Sequence, residues 1–233
     1  MSIFKNDYKC LDCRKCFRRN ELFKLLGDKE LEIVNENRIE VNFKQGEVIF
    51  KQGSPMTHIV ILNSGMAKSY IEGLRNKNLI LNIVKPYEIN CGPGMYVDNR
   101  HHCSLMAITD SDACFIDATA FKKVVRMNST FAEEFIKHLS SKTIDSFQRF
   151  VTITQKNMEG RIAEALIYLQ KFVYENGSIK YLTKQDLADF TGMTRESAIR
   201  VLKEFKDEGV IDEQDKEILL LNETTLAKYS ELG

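Results

Sequence analysis

Three charged side chains near the C-terminus of the chain have the chemistry to read the edges of DNA base pairs. Arg195, Glu196 and Arg200 fall on one face of a predicted short helix within Thr194–Phe205. An arginine fork matches the O6 and N7 acceptors of guanine, and a glutamate can accept a hydrogen bond from N4 of cytosine. The spacing therefore predicts a base-reading surface, with Ile199 lying between the two arginines.

The residues around this surface predict a helix-turn-helix. Thr183 is a good N-cap with Asp186 three residues later, and Thr194 can cap the second helix. Gly192 can adopt the positive φ of a tight turn between them. The second helix carries apolar residues at i, i+3, i+4 and i+7, which predict a buried face: Ala198, Val201, Leu202 and Phe205. A plain helical hairpin with a solvated charged face would explain fewer of these features. The predicted DNA contacts are Thr183, Thr194, Arg195, Glu196, Ile199 and Arg200.

The composition is that of an ordinary soluble globular chain of 233 residues. The first residues are polar, and no run approaches the roughly 18–20 apolar residues that cross a bilayer. We therefore expect a cytoplasmic protein with no signal peptide and no membrane partner. From Lys156 onward 11 Lys and Arg stand against 15 Asp and Glu, a net charge of −4. Because DNA-binding domains are usually basic, DNA binding would have to depend on a few well-placed cations.

Residues from about Val41 to Phe121 predict a β-rich domain. Short apolar runs such as Ile59–Leu62 and Leu79–Val84 alternate with turn signals such as Gly53-Ser54-Pro55. Regularly spaced short strands are typical of a small barrel or sandwich. Further along, the apolar stretches on either side of Glu213–Lys216 predict a β-hairpin wing after the second helix.

A long helix is predicted from Ser129 to Asn157, with a length of about 40–45 Å. Seven residues on this helix, from Ile136 to Asn157, follow one another at alternating spacings of three and four. This is the pattern of a coiled-coil seam. A single core helix is the simpler alternative, but Phe135, Ile144 and Phe147 lie off the seam and give the helix a second apolar face. We therefore expect a dimer interface at Ile136, Leu139, Thr143, Ser146, Phe150, Ile153 and Asn157.

Cysteines and histidines are the remaining groups that could do chemistry. Cys10, Cys13 and Cys16 crowd near the N-terminus, and three further cysteines follow far down the chain. In a cytosolic protein six cysteines do not indicate a disulfide framework. The run His101–Cys103 could supply a thiolate–imidazole nucleophile or a haem ligand. A histidine pair in a loop is usually solvated, however, and Cys91, like Cys103, is more often a small hydrophobe.

These motifs resemble those of the Crp/Fnr family of bacterial transcription regulators. Gly46–Phe50 with Gly53, and then Ile61–Gly65, resemble the opening strands of the family's cyclic-nucleotide-binding-type β-roll. Arg161–Leu166 resembles the helix that opens its DNA-binding domain. The resemblance covers about Leu22 to Leu221. Its helix-turn-helix match comprises Leu182-Thr183, Asp186-Leu187-Ala188, Gly192-Met193-Thr194-Arg195-Glu196 and Arg200-Val201-Leu202.

The resemblance implies an α+β fold, in which an N-terminal antiparallel, jelly-roll-like β-roll is joined by a long dimerisation helix to a C-terminal winged helix-turn-helix. The implied divisions are a cysteine-containing segment over residues 1–21, a sensory β-roll over 22–126, the dimerisation helix over 127–157 and the DNA-binding domain over 158–233. It further implies a homodimer that binds palindromic operators and contacts RNA polymerase. Arg195, Glu196 and Arg200 match the base-reading residues of catabolite-activator-like members, which favour half-sites of the TGTGA type.

The effector site departs from the pattern of cyclic-AMP-binding members. Those members carry Gly-Glu, whose carboxylate takes the ribose hydroxyl, and ten residues later Arg-Ser, whose arginine takes the cyclic phosphate. The matching positions here are Asn90-Cys91 and His101-His102. A buried phosphate without its arginine partner would be poorly compensated, so we do not expect cyclic AMP to be the effector. The implied pocket residues are Cys91, Gly92, His101, His102 and Cys103.

The oxygen-sensing members of the family suggest a metal site instead. They hold a [4Fe–4S] cluster with three N-terminal cysteines and a fourth on a β-roll strand. The matching residues are Cys10, Cys13, Cys16 and Cys114, although C-x₂-C-x₂-C is a tighter spacing than that of the sensors. The same four thiolates could hold zinc or remain free. The cofactor therefore stays open between an iron-sulfur cluster, zinc and none.

An alternative function is a small-molecule-binding or cupin-like enzyme built on the β-roll. A metal-dependent enzyme of that kind needs histidine and glutamate ligands on its strands. Apart from His101 and His102, the histidines are His58, just after a turn, and His138, on the long helix. The sequence therefore favours a regulator without catalytic residues over an enzyme.

Overall fold

The computed structural model describes residues 13, 14, 16, 20–175 and 177–233. These residues form two compact units. One runs to Ile71 and includes Ile83–Lys142, and the other comprises Glu72–Asn82 and Thr143–Gly233. None of the described helices is long and apolar enough to cross a membrane.

Two four-stranded sheets, counted over the described residues, make up the β-roll. Their strands are β1 (Ile39–Phe43), β2 (Val48–Phe50), β3 (His58–Ser64), β4 (Ala67–Glu72), β5 (Asn78–Val84), β6 (Ile89–Asn90), β7 (Ser104–Ala107) and β8 (Ser111–Asp117). The sheet orders are β1-β8-β3-β6 and β2-β7-β4-β5. Strand β8 pairs antiparallel with both β1 and β3. The run Ile59–Leu62 is buried throughout, as expected for a branched aliphatic strand with packed layers on both faces.

An aromatic cluster joins the β-roll to the helices that pack on it, α1 (Asp28–Asn35) and α2 (Ala118–Met127). The ring of Phe121 lies 5.1 Å from that of Phe135 and 5.5 Å from that of Phe131, measured between centroids. All three rings are buried, and Cys13 and Cys114 belong to the same hydrophobic core. This core therefore holds the start of the following helix in place.

The following helix, α3, covers Ser129–Gln155 and has 27 residues, so it is about 40 Å long. Asn128 separates it from α2, and the Asn128 side chain accepts a hydrogen bond from the Phe131 amide at 2.9 Å. The helix ends two residues before the predicted Asn157. Asn157 instead caps the next helix by accepting from the Gly160 amide at 2.8 Å.

The C-terminal part has the predicted helix-turn-helix and wing. Its elements are α4 (Met158–Tyr168), a π-helical turn (Leu169–Val173), α5 (Lys184–Thr191), α6 (Arg195–Asp207), β9 (Ile211–Gln214), β10 (Glu217–Leu220) and α7 (Glu223–Leu232). Asp215 and Lys216 have φ values of 48° and 69°, and consecutive positive φ values match the twist of a tight hairpin. The predicted α+β architecture is confirmed, whereas α7, which packs on α4, was not predicted.

Candidate functional site

The N-terminal half of α6 presents the predicted reading residues to solvent. Thr194 caps the helix by accepting from the Ser197 amide at 3.2 Å. On the inner face lie the buried residues Ala198, Val201, Leu202 and Phe205. The outer face carries exposed side chains at all the positions that the sequence singled out, namely Thr194, Arg195, Glu196, Ile199 and Arg200.

Helix α5 and the turn after it fix where α6 begins. The Thr183 hydroxyl accepts from the Asp186 amide at 3.0 Å, and the Thr183 amide donates to Asp186 Oδ2 at 2.8 Å, which completes a capping box. The Thr183 hydroxyl also donates to Asp186 Oδ2 at 2.7 Å. Thr183 is exposed, but its hydroxyl is occupied by this cap. Gly192 closes the helix in the left-handed region with φ at 65°, and the Met193 amide donates to the Ala188 carbonyl at 2.9 Å.

The charges of this unit leave the reading arginines available. Lys184 pairs with Glu213, and Lys206 pairs with Asp212 at 3.3 Å. Within the part of the chain that the structure describes, neither Arg195 nor Arg200 forms an ion pair. The closest partner of Arg200 is the Met158 sulfur, at 3.5 Å from Nη2. Two lysines of this unit are therefore engaged with carboxylates of the wing, whereas the arginines in the N-terminal half of α6 have no ion pair among the described residues.

The predicted effector residues lie in two neighbouring segments of the β-roll. Gly92 precedes a 3₁₀ turn over Pro93–Tyr96. The Asn99 amide donates to the Gly94 carbonyl at 2.7 Å, and a Cβ on Gly94 would overlap the Arg100 carbonyl oxygen. Only glycine permits this close approach, which brings the segment containing Cys91 next to the one containing the two histidines.

The two histidines have different environments. His101 is buried, and its ring stacks on Phe50 with centroids 4.0 Å apart and planes 14° apart. Burial lowers the pKa of the His101 imidazole. His102 is exposed and hydrogen-bonds Asp98 at 3.1 Å. The expectation of a solvated pair is therefore wrong for His101, because the aromatic face of Phe50 offers the neutral ring a packing site.

Cys91 and Cys103 are half-buried thiols, in line with their interpretation as small hydrophobes. Burial raises the pKa of the Cys91 thiol to about 12. Burial also raises the pKa of Cys103, whose sulfur accepts a hydrogen bond from the Ser69 hydroxyl at 3.3 Å. Because the thiolate is the reactive form of cysteine, neither residue has the environment of a nucleophile.

Cys13 and Cys114 share an arginine that the sequence analysis missed. Both sulfurs belong to the core of the β-roll, and Arg38 Nη1 lies 3.5 Å from Cys114 Sγ. Burial opposes the charge of Arg38, but its hydrogen bonds to Cys114 and Glu40 and the charge of Cys13 raise its pKa above the ordinary value. Arg38 is 76 residues from Cys114 in the chain, so no local pattern could have identified it.

The cysteine set is incomplete as a metal site over the described residues. Cys16 follows Cys13 in a turn, with its amide 3.4 Å from the Cys13 carbonyl oxygen. Cys10 lies outside the described residues. Among those that are described, no three His, Cys, Asp or Glu side chains are arranged to hold a metal ion. Two of the four predicted ligands, Cys13 and Cys114, therefore lie in one hydrophobic core near Arg38. The described residues do not form a complete set of metal ligands.

Helix α3 leaves most of the predicted interface exposed. Ile136, Thr143, Ser146, Phe150 and Asn157 are exposed in the chain. Leu139 is half-buried against the core of the β-roll, and Ile153 is half-buried. From position 140 to position 148 every residue of the helix is exposed, including the apolar side chains Ile144 and Phe147.

Two protein-family models match the chain. Residues 40–128 match the cyclic nucleotide-binding domain, and residues 160–229 match the Crp-like helix-turn-helix domain. The first range contains the eight β-roll strands apart from the first residue of β1, and the second contains α5, α6 and the wing. The first match contains the candidate effector residues and Cys114, and the second contains the candidate DNA-reading residues of α6.

Known proteins with similar sequences and structures are transcription regulators. The chain is 23% identical over 193 residues to the CRP-like cAMP-activated global transcriptional regulator of Mycobacterium tuberculosis, covering 81% of this chain and 86% of that one. It is 22% identical over 200 residues to the transcriptional activator Anr of Pseudomonas aeruginosa, covering 84% and 80%. The solved structure of FixK2 from Bradyrhizobium japonicum matches with a TM-score of 0.75 at 17% identity, covering 82% and 96%. At this identity, the structural match concerns the fold.

We expect His101 to make the β-roll less stable in mild acid. Because burial lowers the pKa of His101, the unfolded chain binds a proton below about pH 6.5 that the folded protein resists. The free energy of unfolding should be unaffected by this group above that pH and should fall as the pH decreases through the folded pKa. Urea unfolding at about pH 7.5 and about pH 5.5 measures the loss.

His101→Gln should lose less stability than the wild type over this interval, because the substituted side chain does not titrate. His102→Gln is the matched control at the exposed member of the pair, and it should lose as much as the wild type. Equal losses in all three proteins would contradict the assignment of the pH effect to His101.

Proposed function

The chain belongs to the Crp/Fnr family of transcription regulators, and we propose that it is a cytoplasmic homodimer that binds a palindromic DNA operator under the control of a signal received by the β-roll. The observation that carries this proposal is the exposure of Arg195 and Arg200 at the capped N-terminal half of α6, where neither forms an ion pair with a described residue. A helix-turn-helix places this part of its second helix in the major groove. We also propose RNA polymerase as a partner, because the family resemblance implies it.

We propose that the protein recognises a few base pairs specifically and that its electrostatic attraction to the DNA backbone is weak. Arg195 and Arg200 can each bind a guanine edge, and Glu196 can accept from cytosine. Ile199 lies between them and is exposed, so it can contact a thymine methyl group. Because residues from Lys156 onward carry a net charge of −4, few phosphates are neutralised, and the affinity should depend only weakly on salt for a dimer.

We expect Arg200→Ala to weaken operator binding by about 1–3 kcal/mol and to relax the preference at one base pair of each half-site. The measurement is a binding-site selection from random palindromes, followed by affinities for the selected operator and its single-base variants. Half-sites should contain G·C pairs near their centres and lie about one helical turn apart.

Lys203→Ala is the matched control for Arg200→Ala, because Lys203 is an exposed cation on the same helix. It removes the same charge outside the predicted reading positions, so it should leave the sequence preference unchanged. If Arg200→Ala instead weakens binding equally for all sequences, Arg200 contacts phosphate and the assigned reading face is wrong.

The proposed homodimer is supported by the apolar surface of α3. Phe147 and Phe150 are 60% and 56% exposed, and Ile136, Ile144 and Val151 on the same helix are also exposed. Aromatic side chains lose much of their stabilising effect when they remain in water, and contiguous apolar patches mark interaction sites. The predicted seam, which includes Ile136 and Phe150, remains our proposal, and Phe147 lies on the second apolar face of the helix.

Ile136→Glu with Phe150→Glu should convert the protein to monomers, because two carboxylates would face the partner helix across the predicted seam. Light scattering measures the mass, and operator affinity should fall in parallel, since one half-site alone is bound. Gln148→Glu, which adds a charge at an exposed polar position of the same helix, should remain dimeric. A dimeric double variant with full affinity would exclude this interface.

We propose that cyclic AMP is not the effector. Cys91 and His101 occupy the matching positions of the ribose-binding glutamate and the phosphate-binding arginine, and His101 is stacked on Phe50 with a lowered pKa. A neutral imidazole cannot balance a buried phosphate charge. Calorimetry with the dimeric protein should give no binding signal for cyclic AMP, and a dissociation constant of about 1 µM or less would contradict the proposal.

We propose that the signal is a redox change received by the cysteines. Cys13 and Cys114 lie in one core beside the guanidinium of Arg38, and hydrogen bonds to sulfur are among the factors that set the potential of thiolate sites. If Cys10 and Cys16 complete the set, the four thiolates could hold an iron-sulfur cluster or zinc. The described residues do not by themselves complete such a site.

Operator affinity of anaerobically purified protein should change on exposure to air, and Cys114→Ser should abolish the change. Cys103→Ser is the matched control, since its sulfur accepts from Ser69 and is not among the four. Iron, sulfide and zinc analysis of the anaerobic samples identifies the cofactor. A Cys114→Ser protein that responds to air as the wild type does would exclude a sensing role for this thiol.

The alternative of a cupin-like enzyme is not favoured. The relatives reported above are transcription regulators, and the exposed face of α6 has no role in such an enzyme. Cys91 and Cys103, the thiols nearest the candidate effector segment, have raised pKa values because they are buried. A regulator without catalytic residues therefore explains more of the chain.

A further inference from the structure

Arg149 on α3 holds two backbone carbonyls that come from distant parts of the chain. Its Nη2 donates to the Ile80 carbonyl at 2.8 Å and to the Phe190 carbonyl at 2.6 Å. Ile80 is in β5, and Phe190 is next to last in α5. All three residues belong to the unit that comprises Glu72–Asn82 and Thr143–Gly233.

The Phe190 carbonyl is one of the four that a helix leaves without an intrahelical partner at its C-terminus. A cation at this end is also favoured by the helix dipole. The guanidinium carbon lies 4.0 Å from the centroid of the Phe190 ring, whose other neighbour is Tyr168, stacked at 5.8 Å. Arg149 therefore contacts both the backbone carbonyl and the ring of Phe190 in the last turn of α5.

A second residue of α3 contacts the same region. Ile153 is one helical turn after Arg149, and a Cβ placed on Gly192 would lie 3.1 Å from Ile153 Cγ2. Gly192 is the turn residue between α5 and α6. The last two turns of α3 thus form a seat for the end of α5 and for the turn that leads to Thr194 and Arg195.

The charge of Arg149 lies in an electrostatically unfavourable environment. Over the described residues Arg149 has no carboxylate in ion-pair distance, and burial lowers its pKa from 12.5 to about 10 despite the opposing charges of Tyr168 and Glu164. A buried cation without a carboxylate is a cost to the folded state. An apolar side chain of similar length would fill the same space without this cost.

We propose that Arg149 is a positioning residue for DNA binding: by holding the Ile80 and Phe190 carbonyls together, it fixes the start of the recognition helix α6 with respect to strand β5. The inference rests on the proposed DNA-binding function. A fixed α6 enters the groove without first being ordered, and pre-ordering increases affinity.

The experiment compares Arg149→Met, Arg149→Lys and the control Arg161→Met in the full-length protein. Arg161 is a half-buried arginine of the same unit whose Nε donates to the Lys156 carbonyl at 2.8 Å. Arg161→Met therefore removes one arginine charge while the hydrogen bonds from Arg149 to the Ile80 and Phe190 carbonyls stay in place. Affinities are measured for the operator selected with the wild type, together with thermal midpoints and amide exchange at Met193 and Thr194.

Arg149→Met should bind the operator about tenfold more weakly than Arg161→Met, a change of about 1.4 kcal/mol, with faster exchange at Met193 and Thr194. Its thermal midpoint should be no lower than that of Arg161→Met, because the buried charge is gone. Arg149→Lys keeps the charge but loses the planar group over Phe190, so it should lose affinity as Arg149→Met does.

Three results would overturn the proposal. Operator affinity of Arg149→Met equal to or above that of Arg161→Met would exclude positioning, and wild-type affinity in Arg149→Lys would reduce the role of Arg149 to its charge. A midpoint that falls in proportion to affinity would reduce the role to stability. Failure of the wild type to select any sequence contradicts the proposed function itself, and that result is distinct from all three.

Discussion

The burial of Phe131 and Phe135 against Phe121 is the contact on which the rest of the molecule depends. It fixes the first two turns of α3 in the core of the β-roll. Helix α3 has 27 residues, and its C-terminal part lies in the second unit. There Arg149 and Ile153 contact the end of α5 and the turn before α6.

The exposed side of α6 and the exposed side of α3 differ in their chemistry. On α6 the exposed side is charged, and its opposite side is fully apolar and buried, so the helix is satisfied by its own domain and presents polar groups outward. On α3 between positions 140 and 148 the exposed residues include large apolar ones. Water is a suitable environment for the first surface and a poor one for the second, because apolar area in water is unfavourable in proportion to its size. The two surfaces therefore suit different partners, one polar and one apolar.

Burial decides which of the thiols and imidazoles can react. Cys91 and Cys103 have raised pKa values in the β-roll, and His101 has a lowered one, so all three favour their neutral forms. Cys114 is also buried, but Arg38 Nη1 lies 3.5 Å from its sulfur. The cysteines of the β-roll therefore differ in the polar groups that pack against them.

The sequence by itself determined the features that depend on neighbours within about ten residues. Caps at Thr183 and Thr194, the positive φ of Gly192, the buried face of α6 and the extent of α3 all follow from local spacing, and the structure agrees with them. The tertiary structure alone decided the environments of His101, Arg38 and Arg149. Their partners are Phe50, Cys114, and the Ile80 and Phe190 carbonyls, which lie 41 to 76 residues away. Contacts at that separation are set by the packing of whole elements, and periodicity, which records only which face of an element is buried, contains no information about them.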